Sequence, residues 1–379
     1  MFFEFTEEQK EVRQRARDYA EKRIAVVQEE DYDKGVFRPE IVKEMGELGF
    51  FAGVVPEEYG GNNVGFLGTV LCVEEIGRIS ASYCMLPTPQ TVGPGLTILR
   101  HGTQEQKDKY VRGLASGDII GCFSSTEPDA GSDVAAMKMV AVDKGDRFIL
   151  NGTKTWATGG SAANIGLFWA YTDKEKGSRG ISCFIVDLKD TPGISTHLIE
   201  ELGLHCCRAS EVAFQDVEIP KDSLLGNRGE GYGILMETLG ETRLCAGTRA
   251  VGLGRACLDD CINFVKERRQ AGQKIGNLQL VEAKIAEMYA EHEAARILIY
   301  QVAANKDRGT GGPLDVPAAK YVACEAAVKA AETAMEIFGS FGFPSNMALR
   351  RYLNDSRCFP ITEGTRNILK LVISRRLLR

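Results

Sequence analysis

Hydrophobic and polar positions follow three successive rhythms along this chain. Up to about residue 118 the rhythm is helical. Val12, Ala16, Tyr19, Ala20 and Ile24 recur every third or fourth position and so share one helix face. Thr6-Glu7-Glu8-Gln9 supplies a capping-box start for that helix. Ile41, Met45 and Leu48 predict a second helix near 39–48, and further helices are expected at 67–79 and 104–114. Tyr59-Gly60-Gly61-Asn62-Asn63 is the turn between the second and third.

From about 119 to 225 the apolar runs become short and rich in Ile, Val, Phe and Trp. Segments 147–150, 164–172, 181–188 and 211–219 read as strands, the last ended by Pro220. Asn151-Gly152 reads as the turn after the first of them. Beyond Gly229 long helical patterns return at 235–264, 278–307 and 315–338, with Gly309-Thr310-Gly311-Gly312-Pro313 as a connecting loop. Helices of that length packed side by side suggest a four-helix bundle. The expected fold class is α+β and multidomain. It comprises an N-terminal helical domain (1–118), a middle antiparallel, β-barrel-like domain (119–225) and a C-terminal helical bundle (226–379).

The length of 379 residues suits such a division, at roughly 100–200 residues per domain. Lys and Arg total 46 against 52 Asp and Glu, and this mildly acidic balance disfavours general nucleic-acid binding. Arg351, Arg357, Arg375, Arg376 and Arg379 near the C-terminus read as helix-surface charges. No apolar run approaches the ~18 residues of a membrane span. Met1-Phe2-Phe3 is followed at once by Glu4, Glu7 and Glu8, unlike a secretion signal. A cytoplasmic protein is expected. Its 11 cysteines show no CxxC spacing and then read as reduced and mostly buried. Cys257 and Cys261 lie one helical turn apart, but no histidine stands at zinc-like spacing, so no metal site is expected.

The GxGxxG dinucleotide fingerprint is missing; Gly252-Leu253-Gly254 sits in a helical pattern and reads as close helix packing. Three other segments can carry chemistry: Thr126-Glu127-Pro128-Asp129-Ala130-Gly131-Ser132-Asp133, Trp156-Ala157-Thr158, and Thr362-Glu363-Gly364-Thr365. Taken singly they read as a capped turn, a strand core residue and a favourable charge at a helix start. In this order on an α–β–α frame, they resemble the acyl-CoA dehydrogenase family over essentially the whole chain. Pro56-Glu57-Glu58-Tyr59-Gly60-Gly61, Gly152-Thr153-Lys154, Arg268 with Gly272, and Gly339-Ser340-Phe341-Gly342 fall where that family has signatures.

The chemistry such a family performs needs a base for a weakly acidic proton alpha to a thioester. It also needs donors that stabilise the developing enolate. A hydride must leave the beta carbon, and no side chain accepts one, so a cofactor is required. The resemblance implies FAD as that cofactor and Glu363 as the base. It places Phe123, Ser125, Thr126, Gly131, Ser132, Trp156 and Thr158 along the flavin. It assigns Arg268, Gln279, Glu336, Gly339, Ser340, Thr365 and Asn367 to the pyrophosphate and adenine end, partly across a subunit boundary. Ser132, Thr91, Arg243, Thr362 and Gly364 would contact the acyl-CoA. Some members carry the base on the helix of Arg243; here Glu241 is the candidate, two residues from that arginine rather than adjacent. The implied partners are an acyl-CoA, electron-transfer flavoprotein as acceptor, and further copies in a homotetramer. An oxidase passing electrons to oxygen is a competing reading, as is a non-catalytic flavin- or acyl-CoA-binding assembly protein. Joint retention of Glu363, Trp156 and Thr158 argues against the second.

Several positions depart from the family pattern. Glu336 stands for its glutamine, Ser340 for its second glycine, Ala271 for an aromatic and Gly240 for an aspartate. Thr362 replaces an aromatic that usually precedes the base, which opens room near the alpha carbon. A bulky acyl group is therefore expected, branched or alicyclic, such as cyclohexane-1-carboxyl-CoA. Segments 127–133 and 170–179 are also similar to bacterial glutaryl-CoA dehydrogenases. Those carry an arginine for the distal carboxylate where Cys84 stands here, and an unpaired carboxylate in an apolar pocket is costly. Glutaryl-CoA is accordingly the runner-up.

Overall fold

The capping box at Thr6 forms as written: its hydroxyl accepts from the Gln9 N–H while Gln9 Oε1 accepts from the Thr6 N–H. It starts α1 (Glu7–Tyr19), which continues through a π-helical turn into α2 (Ala25–Lys34). The structure, a computed structural model, describes residues 4–189 and 191–379, so Met1–Phe3 of the N-terminal reading lie outside it. After α3 (Pro39–Glu47) and α4 (Gly65–Ile79) comes a π-helical turn, Thr88–Gly95, then α5 (Leu96–His101) and α6 (Gln104–Ser116).

Eight strands follow: β1 (Gly121–Ser124), β2 (Val140–Asp143), β3 (Arg147–Thr158), β4 (Ile165–Tyr171), β5 (Ile181–Asp187), β6 (Ile194–Leu198), β7 (Ala209–Pro220) and β8 (Leu224–Leu225). They form one sheet in the order β6-β7-β3-β2-β4-β5-β8, with β1 beside β4. Most neighbours run antiparallel; β1 pairs with β4 in parallel, as does the single bridge between β2 and β4. Asn151-Gly152 is not a turn. β3 runs straight through it, with a register shift against β7 between Leu150 and Gly152. Gly152 sits at φ +145°, where a Cβ would come within 2.7 Å of Met139. Asn151 meanwhile exchanges two hydrogen bonds with Asp216 on β7, each 2.9 Å. The pair that signals a hairpin in isolation here makes a bulge, because the partner strand is β7 and not the next segment.

Long helices complete the chain: α7 (Gly231–Glu267), α8 (Gln279–Asp307), α9 (Asp315–Phe338), α10 (Ala348–Ser356) and α11 (Arg366–Leu377). α7 is the centre of this half and packs on α4, α8 and α9. Gly252 lets α7 touch α4, since a Cβ there would lie 2.8 Å from Gly77 Cα, in keeping with the close-packing reading of that glycine. Buried Asp355 on α10 ties the three parts together. It accepts from Tyr32 Oη on α2 at 2.9 Å and from the Leu204 N–H before β7 at 2.7 Å, and burial pushes its carboxyl up to about 6. Among the described residues no helix is long and apolar enough to cross a membrane.

Candidate active site

Glu363 lies in the loop between α10 and α11, with backbone in the left-handed region (φ +56°), followed by Gly364 at φ +100°. A non-glycine residue there costs roughly 1–3 kcal/mol and persists only where its surroundings hold it. Those surroundings are two cations from neighbouring helices. Lys320 of α9, fully buried, donates to the Thr362 carbonyl and, at 2.7 Å, to the Gly364 carbonyl. Arg243 of α7 donates through Nε to the Glu363 carbonyl at 2.8 Å. Three consecutive carbonyls are thus turned toward α7 and α9. In a planar trans peptide the N–H opposes its carbonyl, so the Glu363 N–H points away from Lys320. It has no acceptor among the described residues. Burial lowers the pKa of Lys320, and likewise of Arg243, against the opposing pull of Glu363.

The Glu363 side chain meets a third cation. Arg249 of α7, with no exposed side-chain surface, donates through Nη2 to Glu363 Oε1 at 2.8 Å and through Nη1 to Thr88 Oγ1 at 2.7 Å. Burial disfavours its charge, but the adjacent carboxylate more than offsets this and holds the guanidinium above its ordinary value. Several buried polar atoms around this point have no partner: Glu363 Oε2, Arg249 Nε, Thr362 Oγ1 and Thr91 Oγ1. Buried polar atoms are rarely left so, and a cluster of them marks where a polar ligand binds. Glu241 is placed elsewhere: its carboxylate is held by Arg100 at 2.9 Å and Lys306 at 2.6 Å.

Trp156 sits at a second register shift of β3 against β7, at φ +61°, and 54% of its surface is exposed. Its strand neighbours Thr155 and Ala157 are buried and Thr158 is half-buried. The Thr126–Asp133 loop is clamped beside it by a buried ion pair, Lys154 Nζ to Glu127 Oε1 at 2.8 Å. Lys154 also donates to the Ser125 carbonyl at 3.1 Å, and the Thr155 N–H donates to the Thr126 carbonyl at 2.9 Å. Gly131 and Ser132 are left exposed at the loop's outer edge. Phe123 packs on the Thr88–Gly95 turn, with its ring 2.9 Å from where a Cβ of Gly93 would be. This joins the β-domain residues to the turn that supplies Thr88 and Thr91. An indole held outward on strained backbone, beside a rigidly clamped turn loop, fits a planar aromatic group such as a flavin.

The remaining expected residues form separate patches. The Arg268 guanidinium stacks 4.4 Å over the Phe341 ring, which places it beside Gly339 and Ser340. Gly339, at φ +56°, has nothing within 4 Å of an added Cβ. Glu336 is paired with Lys284 on α8, and Gln279 is the exposed first residue of that helix. Thr365 caps α11, accepting from the Ile368 N–H at 3.3 Å, with exposed Asn367 in the first turn. No hydrogen bond joins Thr365 or Asn367 to the Arg268 patch among the described residues. Lys320 and Arg249 were not expected at the site from sequence. Their signal was a lone cation inside a run of small apolar residues, Ala318-Ala319-Lys320 and Gly247-Thr248-Arg249-Ala250.

Comparison with known proteins gives the family. Residues 6–118, 122–217 and 229–378 match the models described as Acyl-CoA dehydrogenase N-terminal, middle and C-terminal domain. A glutaryl-CoA dehydrogenase of Desulfococcus multivorans is 41% identical over 99% of this chain and 97% of its own. The caffeyl-CoA reductase-Etf complex subunit CarC of Acetobacterium woodii is 36% identical over 99% of each. The solved butyryl-CoA dehydrogenase of Megasphaera elsdenii superposes with a TM-score of 0.97 at 33% identity, covering all of both chains.

Proposed function

The chain belongs to the acyl-CoA dehydrogenase family of CH–CH oxidoreductases, and on that premise we propose that it desaturates an acyl-CoA thioester between the alpha and beta carbons with Glu363 as base. The observation that carries this is the Glu363 loop, held in the left-handed region by Lys320 and Arg243 with its own N–H unpaired. FAD, the cofactor of this family, supplies the hydride acceptor when bound. Trp156, Thr158 and Thr126 would hold its ring, and Arg268, Gly339 and Ser340 its pyrophosphate and adenine end.

Within the chain, the Glu363 carboxylate takes the alpha proton while the Glu363 N–H donates to the thioester oxygen, where charge develops. Lys320 and Arg243 keep that N–H aimed. Ser132 and Arg243 would contact the coenzyme A portion. Thr362, lacking an aromatic ring, leaves space for a branched or alicyclic acyl group such as cyclohexane-1-carboxyl. A dicarboxylic acyl group is the second reading, favoured by one observation: a buried cation, Arg249, beside the base.

Electron-transfer flavoprotein is the acceptor we propose, supported by the Etf-complex relative. Exposed apolar side chains on the C-terminal half, among them Phe343 (84%) and Leu280 (81%), support a homo-oligomer. The test is a screen of acyl-CoA thioesters against the purified yellow protein with an artificial electron acceptor. Turnover of at least one thioester is expected. A colourless protein, or a flavoprotein that oxidises none of them, would favour the non-catalytic binding reading instead.

A further inference from the structure

Proton abstraction by Glu363 creates a charge problem around Arg249, and the role of that arginine in substrate choice rests on the dehydrogenase reading. Arg249 is fully buried and its carboxylate partner is Glu363. Apart from the nearby Lys320 cation, its other neighbours are neutral: the Thr88 hydroxyl, and the thiols of Cys84 and Cys245, which burial pushes up to about 12. Glu241, a buried glutamate on α7, is occupied by Arg100 and Lys306. Once Glu363 holds the alpha proton it is uncharged, and Arg249 becomes a buried cation with no counter-charge. Stranding a buried charge in this way costs several kcal/mol. Among the described residues no other carboxylate pairs with Arg249.

The fork geometry indicates what would. Nε and Nη2 share one edge of the planar guanidinium, the edge that grips a carboxylate by two parallel hydrogen bonds. Glu363 uses only Nη2; Nε is buried without a partner, and so is Glu363 Oε2. Half of the carboxylate-binding edge is therefore unpaired beside Glu363, and an acyl chain presenting its alpha carbon to that carboxylate would pass next to it.

We infer that Arg249 anchors a carboxylate carried on the acyl chain, and that this carboxylate displaces Glu363 from Nη2. The displacement frees the Glu363 lone pairs for the alpha proton, and the acyl carboxylate remains as the counter-charge of Arg249 after the proton has moved. Of the two acyl classes considered above, this selects the second, a mono-CoA thioester of a dicarboxylic acid, over a neutral branched or alicyclic one. The bonds balance without a further reactant: the alpha C–H bond breaks with its proton taken by Glu363, the beta C–H bond breaks as a hydride that bound FAD would accept, a C=C bond forms between the two carbons, and the distal carboxylate stays intact. The cation missing at Cys84 is thus supplied from α7.

The holoenzyme tests this directly. Succinyl-, glutaryl-, adipyl- and pimelyl-CoA are each compared with a straight-chain monocarboxylic thioester of matched length, and cyclohexane-1-carboxyl-CoA is included. Flavin bleaching is followed by stopped flow. For the best-fitting length, kcat/KM should favour the acid by at least about 10-fold, the scale of one charged hydrogen bond. Arg249→Gln should abolish that preference. Calorimetric binding to the Glu363→Gln holoprotein should show the same gap between acid and neutral thioester, lost in the double variant. Neutral thioesters reacting as well as the acids in the wild type would overturn this inference alone, as would Arg249→Gln lowering both classes with an unchanged ratio. If Arg249→Gln fails to retain FAD, the wild-type ratio and the Glu363→Gln binding gap decide. No bleaching by any thioester would instead overturn the dehydrogenase reading, and this inference with it.

Discussion

The Lys320 ammonium and the Gly364 carbonyl are 2.7 Å apart, and the same ammonium holds the Thr362 carbonyl, so one buried lysine grips the backbone on both sides of Glu363. It makes no contact with the Glu363 carboxylate, yet it sets where the Glu363 N–H points.

Lys320→Met should therefore act as loss of a positioning residue. Removing one oxyanion donor costs on the order of 10²–10³ in kcat, and a loss near the lower end is expected with KM little changed. The carbonyl stretch of a bound thioester, read by Raman or infrared difference spectroscopy, should shift back toward its solution value. An unshifted stretch with reduced kcat would point to a structural role only.

The Lys154–Glu127 pair pins the Thr126–Asp133 loop to β3 from inside the protein. Burial, opposed by Glu127, brings the Lys154 pKa down to about 8. Breaking a buried pair by removing one partner typically costs about 3–5 kcal/mol. Lys154→Met should lower denaturant stability by that order and reduce the flavin-to-protein ratio. Lys154→Met with Glu127→Leu should recover much of the stability but not the flavin content, because the loop loses its anchor in both.

Thr362→Tyr would place a ring next to Glu363, the base we propose. Activity on branched or cyclic thioesters should fall by at least about 10-fold, the lower end of the range for steric discrimination by a pocket. Straight-chain thioesters should be affected less. Equal losses across all chain shapes would remove Thr362 as the source of pocket width.

His292 on α8 is buried, with Nε2 lacking a partner, and burial brings its pKa down to about 4 despite the opposing charge of Glu293. The unfolded chain binds this proton below about 6.5 and the folded chain only below about 4. Unfolding therefore takes up a proton in that window, and stability falls as pH drops through it, by up to roughly 3 kcal/mol at 1.36 kcal/mol per pH unit. His292→Gln should flatten this part of the stability–pH curve measured by urea unfolding. Asp355 acts oppositely: its raised pKa, about 6, makes stability fall as pH rises from about 4 to 6. The two variants His292→Gln and Asp355→Asn should thus tilt the curve in opposite senses.

Helix rhythm in the sequence located the long helices well because their apolar faces repeat over many turns, as 315–338 against the observed Asp315–Phe338 illustrates. Asn151-Gly152 misled, since a two-residue signal cannot reveal that β3 pairs with the distant β7. Glu363, Trp156 and Thr126 were legible only as a set, through family resemblance. Their strained backbone at residues 156 and 363 is invisible in residue types. Arg249 and Lys320 were missed for a related reason: a charged residue in a helix reads as solvent-facing until its neighbours' burial on every side is known.

The most direct measurement is flavin reduction by the best thioester of the screen in the Glu363→Gln holoprotein, paired with exchange of the alpha hydrogen for solvent deuterium. A general base accounts for on the order of 10²–10⁴ in rate. Both bleaching and exchange should fall by at least about 10³ while the bound yellow flavin is retained. Bleaching at the wild-type rate in that variant would contradict Glu363 as the base.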